Sequence, residues 1–148
     1  MIPPYLDTSA LIKRYDPQEP GAGAVVARLE ETRVILTSAL TPVEAVSAFR
    51  MKQRSGVFSA EEVRLAVEVL EAHTALQYRL VSPKPPVYRE AKRLLLRYKL
   101  RAYDALQLAT ALVVVRVSGL EVGALEFWTA DRDQAGAAQA EGLSVRLV

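Results

Sequence analysis

The sequence has no cysteine and no asparagine, and a single histidine and a single tryptophan among its 148 residues. Without cysteine there is no disulfide, no thiolate zinc site and no cysteine nucleophile. One histidine is too few for a histidine-based zinc centre, and His73 falls in the middle of an amphipathic helical pattern, which marks it as a packed or surface residue outside any site. Charge of one sign is also scarce, since 19 basic and 17 acidic side chains leave a net charge of only +2. Long apolar runs are missing. "ALVVV" at 111 to 115 falls far short of the ~20 residues that cross a bilayer. No charged start, apolar centre and small-residue cleavage site follow one another, so the expected protein has no membrane span and works in the cytoplasm.

What is present is apolar and evenly distributed. At 51% hydrophobic over 148 residues, the chain suits one domain, 1–148, with a substantial core. Of its 19 basic residues 14 are arginine, in short clusters such as Lys13-Arg14 and the run from Arg50 to Arg54. Such clusters permit a polyanionic partner and equally suit solvated helix faces. Strand-like apolar segments fall at 3 to 6, 33 to 37, 77 to 81, 125 to 130 and 144 to 147, with helical periodicity between them. In "SAEEVRLAVEVLEAHTAL" the pair Ser59 and Glu62 reads as a capping box. "TPVEAVSAFRMKQRSG" opens with Thr41 as cap, Pro42 in the first turn and Glu44 three residues on, a second capping-box spacing. "KPPVYREAKRLLLRY" and "YDALQLATALVVVRVSG" complete the main helices, the latter closed by Gly119. Strands alternating with helices require crossover connections, so the sheet is expected to be largely parallel with helices on both faces, an α/β sandwich.

Open parallel sheets bind ligands beyond the carboxyl ends of their strands. Asp7 in "YLDTSALIKRY" stands at such an end, and Asp131 in "FWTADRDQ" just past another, while Glu44 and Asp104 open helices. Singly, each has an ordinary use: Asp7 as a helix cap, Glu44 in its capping box, Asp104 against a helix dipole, Asp131 in a turn. Together in one crevice, four carboxylates cannot all stay ionised without a cation. Oxygen-only ligands favour Mg²⁺ or Mn²⁺. The chemistry such a cluster supports is hydrolysis of phosphate esters, one ion activating water and another about 4 Å away stabilising the leaving oxygen. "GAGA" at 21 to 24 lacks the lysine and hydroxyl of a phosphate-binding loop. No serine, histidine and aspartate set is available either.

These segments, in this order and over nearly the whole chain, resemble the PIN domain family, and within it the VapC-like ribonuclease toxins. "YLDTSALIKRY" is similar to the family's opening motif, "TPVEAVSAFRMKQRSG" to its glutamate helix, "LRAYDALQLATAL" to its second aspartate helix, and "FWTADRDQAGAAQAEGLSV" to its closing strand and turn. The resemblance implies a three-layer α/β sandwich around a parallel five-stranded sheet of order 3-2-1-4-5. It also implies Mg²⁺- or Mn²⁺-dependent cleavage of RNA, a small antitoxin as partner, and a homodimer. Asp7, Glu44, Asp104 and Asp131 match the acidic quartet, and Asp133 is a further metal candidate or the cap of the following helix. Thr8 and Ser9 are expected to hydrogen-bond an acid or a phosphate oxygen, or to cap. Arg14, Arg50, Arg54 and Arg132 are candidates for RNA backbone contacts by location. Pro3 and Pro4 depart from the pattern and predict a shortened first strand. The competing expectation is a PIN-like module that binds RNA or protein without cutting. A small-molecule phosphatase ranks last, because "DTS" lacks a second acid two residues after the first.

Overall fold

The computed structural model describes residues 2–148. Its strands are β1 (Tyr5–Leu6), β2 (Ile35–Ser38), β3 (Tyr78–Val81), β4 (Glu126–Thr129) and β5 (Ser144–Leu147). They form one parallel sheet in the order β3-β2-β1-β4-β5. The first strand is as short as Pro3 and Pro4 predict, since neither has an amide hydrogen for the ladder. Backbone bonds extend its pairing at both ends: Leu36 N–H donates to the Pro4 carbonyl at 2.9 Å, and Asp7 N–H to the Trp128 carbonyl at 3.1 Å.

The helices are α1 (Thr8–Leu11), which continues as a 3-10 turn over Ile12–Tyr15, then α2 (Ala22–Glu30), α3 (Thr41–Arg54), α4 (Ala60–Leu76), α5 (Pro85–Arg97), α6 (Ala102–Val117) and α7 (Arg132–Ala140). Side chains alternate across a strand, so Tyr5, Leu36 and Phe127 point to one face and Leu6, Ile35 and Trp128 to the other. The first face packs against Val87, Leu94, Leu108, Leu112 and Ala138 of α5, α6 and α7. The second packs against Leu11, Val25, Leu29, Phe49 and Leu70 of α1 to α4. Both faces are covered, which explains why the central strands read as continuous apolar runs.

The Ser59 and Glu62 capping box forms as expected, with reciprocal bonds of 3.1 and 2.9 Å. The Thr41 and Glu44 box does not. Leu40 is the N-cap of α3, Thr41 is already helical, and no side chain caps that end. The reason is burial: Thr41 lies against the sheet, where its hydroxyl meets that of Thr37 at 2.6 Å, so Glu44 is released for other contacts.

The glycine at the head of α2 has a conformational task. Gly21 has φ +84°, and a Cβ there would stand 2.8 Å from the carbonyl carbon of Val148. Gly21→Ala is expected to cost about 1 to 3 kcal/mol through strain and displacement of the terminal residue. A lowered midpoint in urea unfolding would show it. Among the described residues no helix is long and apolar enough to cross a membrane.

Candidate active site

Strands β1 and β4 are neighbours at the middle of the sheet and end together. After each, the backbone turns at once into a helix, and an extended aspartate forms the corner. Asp7 caps α1, its Oδ1 accepting from Ala10 N–H at 2.9 Å, and Asp131 caps α7, accepting from Gln134 N–H at 2.9 Å. The cap of α7 is therefore Asp131, whereas Asp133 was an alternative for that role. Asp131 keeps the extended backbone that a cap requires, and Asp133 is already inside the first turn, exposed at the rim.

Asp7 is only 2% exposed. Its Oδ1 also accepts from the Ser9 hydroxyl at 2.7 Å, and its Oδ2 accepts from the Thr129 hydroxyl at 2.5 Å and Gln134 Nε2 at 2.9 Å. Burial pushes its pKa up to about 6, against the pull of these donors, and the nearby charge of Asp104 adds to the rise. Glu44, half-buried, reaches across from α3: its Oε1 accepts from the Thr8 hydroxyl at 2.9 Å and from Gln107 Nε2 at 3.0 Å. Thr8 and Ser9 thus each bond an acid.

Asp104 stands in the first turn of α6, with its pKa raised by burial and by the charges of Asp131 and Asp133, while Arg101 opposes the rise. The Arg101 guanidinium lies between two of the acids, Nε 3.3 Å from Asp104 Oδ2 and Nη2 3.9 Å from Asp131 Oδ2. The fold therefore brings Asp7, Glu44, Asp104 and Asp131 to one edge, with Asp133 beside them. Among the described residues no three acidic or histidine side chains form a ready-made metal cage. The chemistry of the donors nevertheless fits a hard divalent cation. All are carboxylates, the charge of Asp104 disfavours ionisation of Asp7 and those of Asp131 and Asp133 disfavour ionisation of Asp104, and a cationic side chain is already drawn between two of them.

The arginines separate by position. Arg132 is exposed in the first turn of α7 beside Asp131. Arg14 is not brought to the acids: its guanidinium bonds Gln77 at 2.8 Å and the Tyr78 hydroxyl at 3.0 Å, where β3 begins rather than ends. Arg50 bonds Gln53 on the outside of α3, about 120° around the helix from Glu44, and Arg54 lies about 15 Å farther along it than Glu44. His73 packs between Tyr15 and Tyr78, away from the acids, its Nδ1 2.9 Å from the Tyr15 hydroxyl. Burial and the Arg14 charge hold its pKa below the usual histidine value.

Sequence reading missed Gln107, Gln134 and Thr129. For Gln107 and Thr129 the signal was a polar residue in an otherwise apolar stretch, as in "DALQLATAL", whereas Gln134, directly after Asp131, Arg132 and Asp133, carried no such signal. All three are buried and two of them touch Asp7.

Comparison with known proteins agrees with this architecture. VapC20 of Mycobacterium tuberculosis, a sarcin-ricin loop cleaving toxin, superposes with a TM-score of 0.59 at 18% identity, over 90% of this chain and 93% of that one. A toxin-antitoxin complex from Klebsiella pneumoniae superposes with a TM-score of 0.58 at 20% identity, over 95% of this chain and 94% of the other. At such identities these likenesses speak for the fold. No curated protein sequence gives a significant match. The PIN domain description matches residues 5–140, from the first strand through the last helix, and the chain belongs to the PIN domain family.

Proposed function

We propose that this protein is a divalent-metal-dependent endoribonuclease, the toxin of a toxin-antitoxin pair. The observation that carries the reading is the meeting of Asp7, Glu44, Asp104 and Asp131, from four separate elements, at the carboxyl edge of the central strands, with Asp7 buried there against its own ionisation. Asp7, Glu44, Asp104 and Asp131 would hold Mg²⁺ or Mn²⁺, with Asp133 as a further ligand at the rim. Such an ion, when bound, supplies Lewis-acid activation of water and neutralises charge on the phosphate. The chain's own residues do the positioning. Four donors fix Asp7 in one orientation, Thr8 and Gln107 fix Glu44, and Asp104 and Asp131 face the open edge. Arg101, 84% exposed, and Arg132 stand at the mouth, where they can meet RNA phosphates. A cognate antitoxin, a cytoplasmic setting and a homodimer belong to the same reading. Val43 on α3 and Tyr103 on α6, both exposed, offer apolar area for the dimer.

The test is cleavage of a mixed single-stranded and transfer RNA pool by antitoxin-free protein in Mg²⁺ or Mn²⁺, with EDTA and Asp104→Asn as controls. Discrete fragments are expected, lost in EDTA. Changes in outer-shell partners of a metal already cost about 10- to 100-fold, so removing the Asp104 carboxylate is expected to cost about 100-fold or more. Folded protein that cuts in neither metal would favour the binding-only alternative, in which Asp7 and Asp131 serve as the helix caps they also are.

A further inference from the structure

We propose that Gln107 is a positioning residue of this site, whose amide holds one oxygen of Glu44 and leaves the other free to take the cation. The inference rests on the nuclease reading above.

Gln107 follows Asp104 by one turn of α6 and is 3% exposed. A buried primary amide is costly unless its donors and acceptor are satisfied. Here they are satisfied by groups from three other elements. Its Oε1 accepts from the Tyr5 hydroxyl at 2.7 Å, and its Nε2 lies 3.0 Å from Glu44 Oε1, 3.0 Å from Thr41 Oγ1 and 3.1 Å from Thr8 Oγ1.

The two ends of the amide are alike in shape, so chemistry must set which one faces the acid. Tyr5 supports it from below. The ring is fully buried and stacked on Phe127 at 5.5 Å and 11°, which fixes its hydroxyl 2.7 Å from the amide oxygen, to which it donates. Glu44 sets it from above, since a flipped amide would press its carbonyl against a carboxylate oxygen. Glu44, an acceptor only, demands this orientation, and the Tyr5 hydroxyl accommodates it by donating.

The result divides the Glu44 carboxylate in two. Oε1 accepts from both Gln107 and the Thr8 hydroxyl, while among the described residues Oε2 accepts no hydrogen bond. A glutamate side chain has three rotatable bonds, and fixing one oxygen removes most of the freedom that a cation would otherwise have to remove on binding. A core amide with a purely structural role would affect folding stability and leave metal affinity unchanged.

The experiment measures Mn²⁺ binding by calorimetry on the full chain without antitoxin, for wild type, Gln107→Met, Tyr5→Phe and Glu44→Gln, alongside thermal melts and kinetics on a short RNA. Methionine keeps the length and apolar packing of Gln107 but cannot donate to Glu44. Gln107→Met is expected to weaken Mn²⁺ binding about 10- to 100-fold, to lower kcat at limiting Mn²⁺ with the KM for RNA little changed, and to recover at high Mn²⁺. Tyr5→Phe is expected to weaken it in the same direction and by less. Mn²⁺ affinity equal to wild type in a folded Gln107→Met overturns the inference. Should that variant not fold, Tyr5→Phe carries the test, and unchanged affinity there overturns it equally. A wild-type protein that binds no Mn²⁺ would instead remove the nuclease reading on which the inference rests.

Discussion

The Asp7→Asn protein is expected to melt about 5 to 10 °C higher than wild type at pH 8 in EDTA, and to cleave no RNA. The cause is an aspartate ionised where the fold disfavours its charge. Burial lifts the Asp7 pKa from an ordinary 3.8 to about 6, which corresponds to about 3 kcal/mol. Because the folded state binds the proton more tightly, the contribution of Asp7 to stability is complete below its unfolded pKa. It is lost as pH rises through the folded pKa. Above pH 6 the deficit is full, and an asparagine, which cannot ionise, does not incur it.

The site can also accept the amide. Asparagine is as good an N-cap as aspartate for α1. The Thr129 hydroxyl can turn to accept, and Gln134 can turn its amide to present Oε1, the one buried side-chain polar atom without a partner among the described residues. Melts at pH 8 and pH 4.5 check the assignment, since the gain must shrink at the lower pH, where wild-type Asp7 is protonated. A second check is added Mn²⁺, which should raise the wild-type midpoint and leave Asp7→Asn where it is. An Asp7→Asn protein less stable than wild type at pH 8 would mean that the four hydrogen bonds to Asp7 outweigh its burial. The expected gain in stability with loss of cleavage would instead set stability and catalysis against each other at this one residue.

Much of this was legible in the sequence because it depends on local rules. Pro3 and Pro4 shorten β1 by lacking donors, Ser59 and Glu62 cap α4 at the expected spacing, and the alternation of strands and helices implies the parallel sheet. The four acids could be placed at strand ends or helix starts for the same reason. What could not be read was the competition between local and distant partners. Thr41 and Glu44 have perfect capping-box spacing, yet Thr41 is buried against Thr37 and Glu44 bonds Thr8 and Gln107, residues 36 and 63 positions away. Arg14 follows Asp7 closely within the opening motif. The helical turn between them nevertheless carries it to Gln77 and Tyr78, away from the acids. Gln107 looked like an incidental polar residue in an apolar helix, because its role is visible only when β1, α1, α3 and α6 meet.

Lys52→Met is expected to destabilise the protein by about 3 kcal/mol at pH 7, the cost of leaving the buried Asp16 carboxylate without its lysine. Lys52 Nζ lies 2.8 Å from Asp16 Oδ2 and 2.5 Å from Glu19 Oε1, and the Lys52 and Asp16 side chains are 15% and 5% exposed. Burial alone would raise the Asp16 pKa, but the Lys52 bond, the Gln18 amide and the Lys52 and Lys13 charges hold it below the usual range. The Lys52 bond does the same for Glu19 against its burial. Both carboxylates therefore contribute stability above their unfolded pKa values, and the contribution is lost as pH falls through the lowered folded values. The defect of Lys52→Met should follow the same course, large at pH 7 in urea unfolding and smaller at pH 3, below the unfolded pKa values, where the contribution is being lost. A defect that is equal at both pH values would assign the loss to packing of the lysine stem instead. The clamp has a bearing on the active site as well. Lys52 and Glu44 share α3, while Asp16 and Glu19 follow Asp7 along the first segment of the chain. The ion pairs thus tie the helix that carries one acid to the segment that carries another. Lys52→Met protein that remains folded at 15 °C is therefore expected to need more Mn²⁺ for the same cleavage rate, although Lys52 touches none of the four acids.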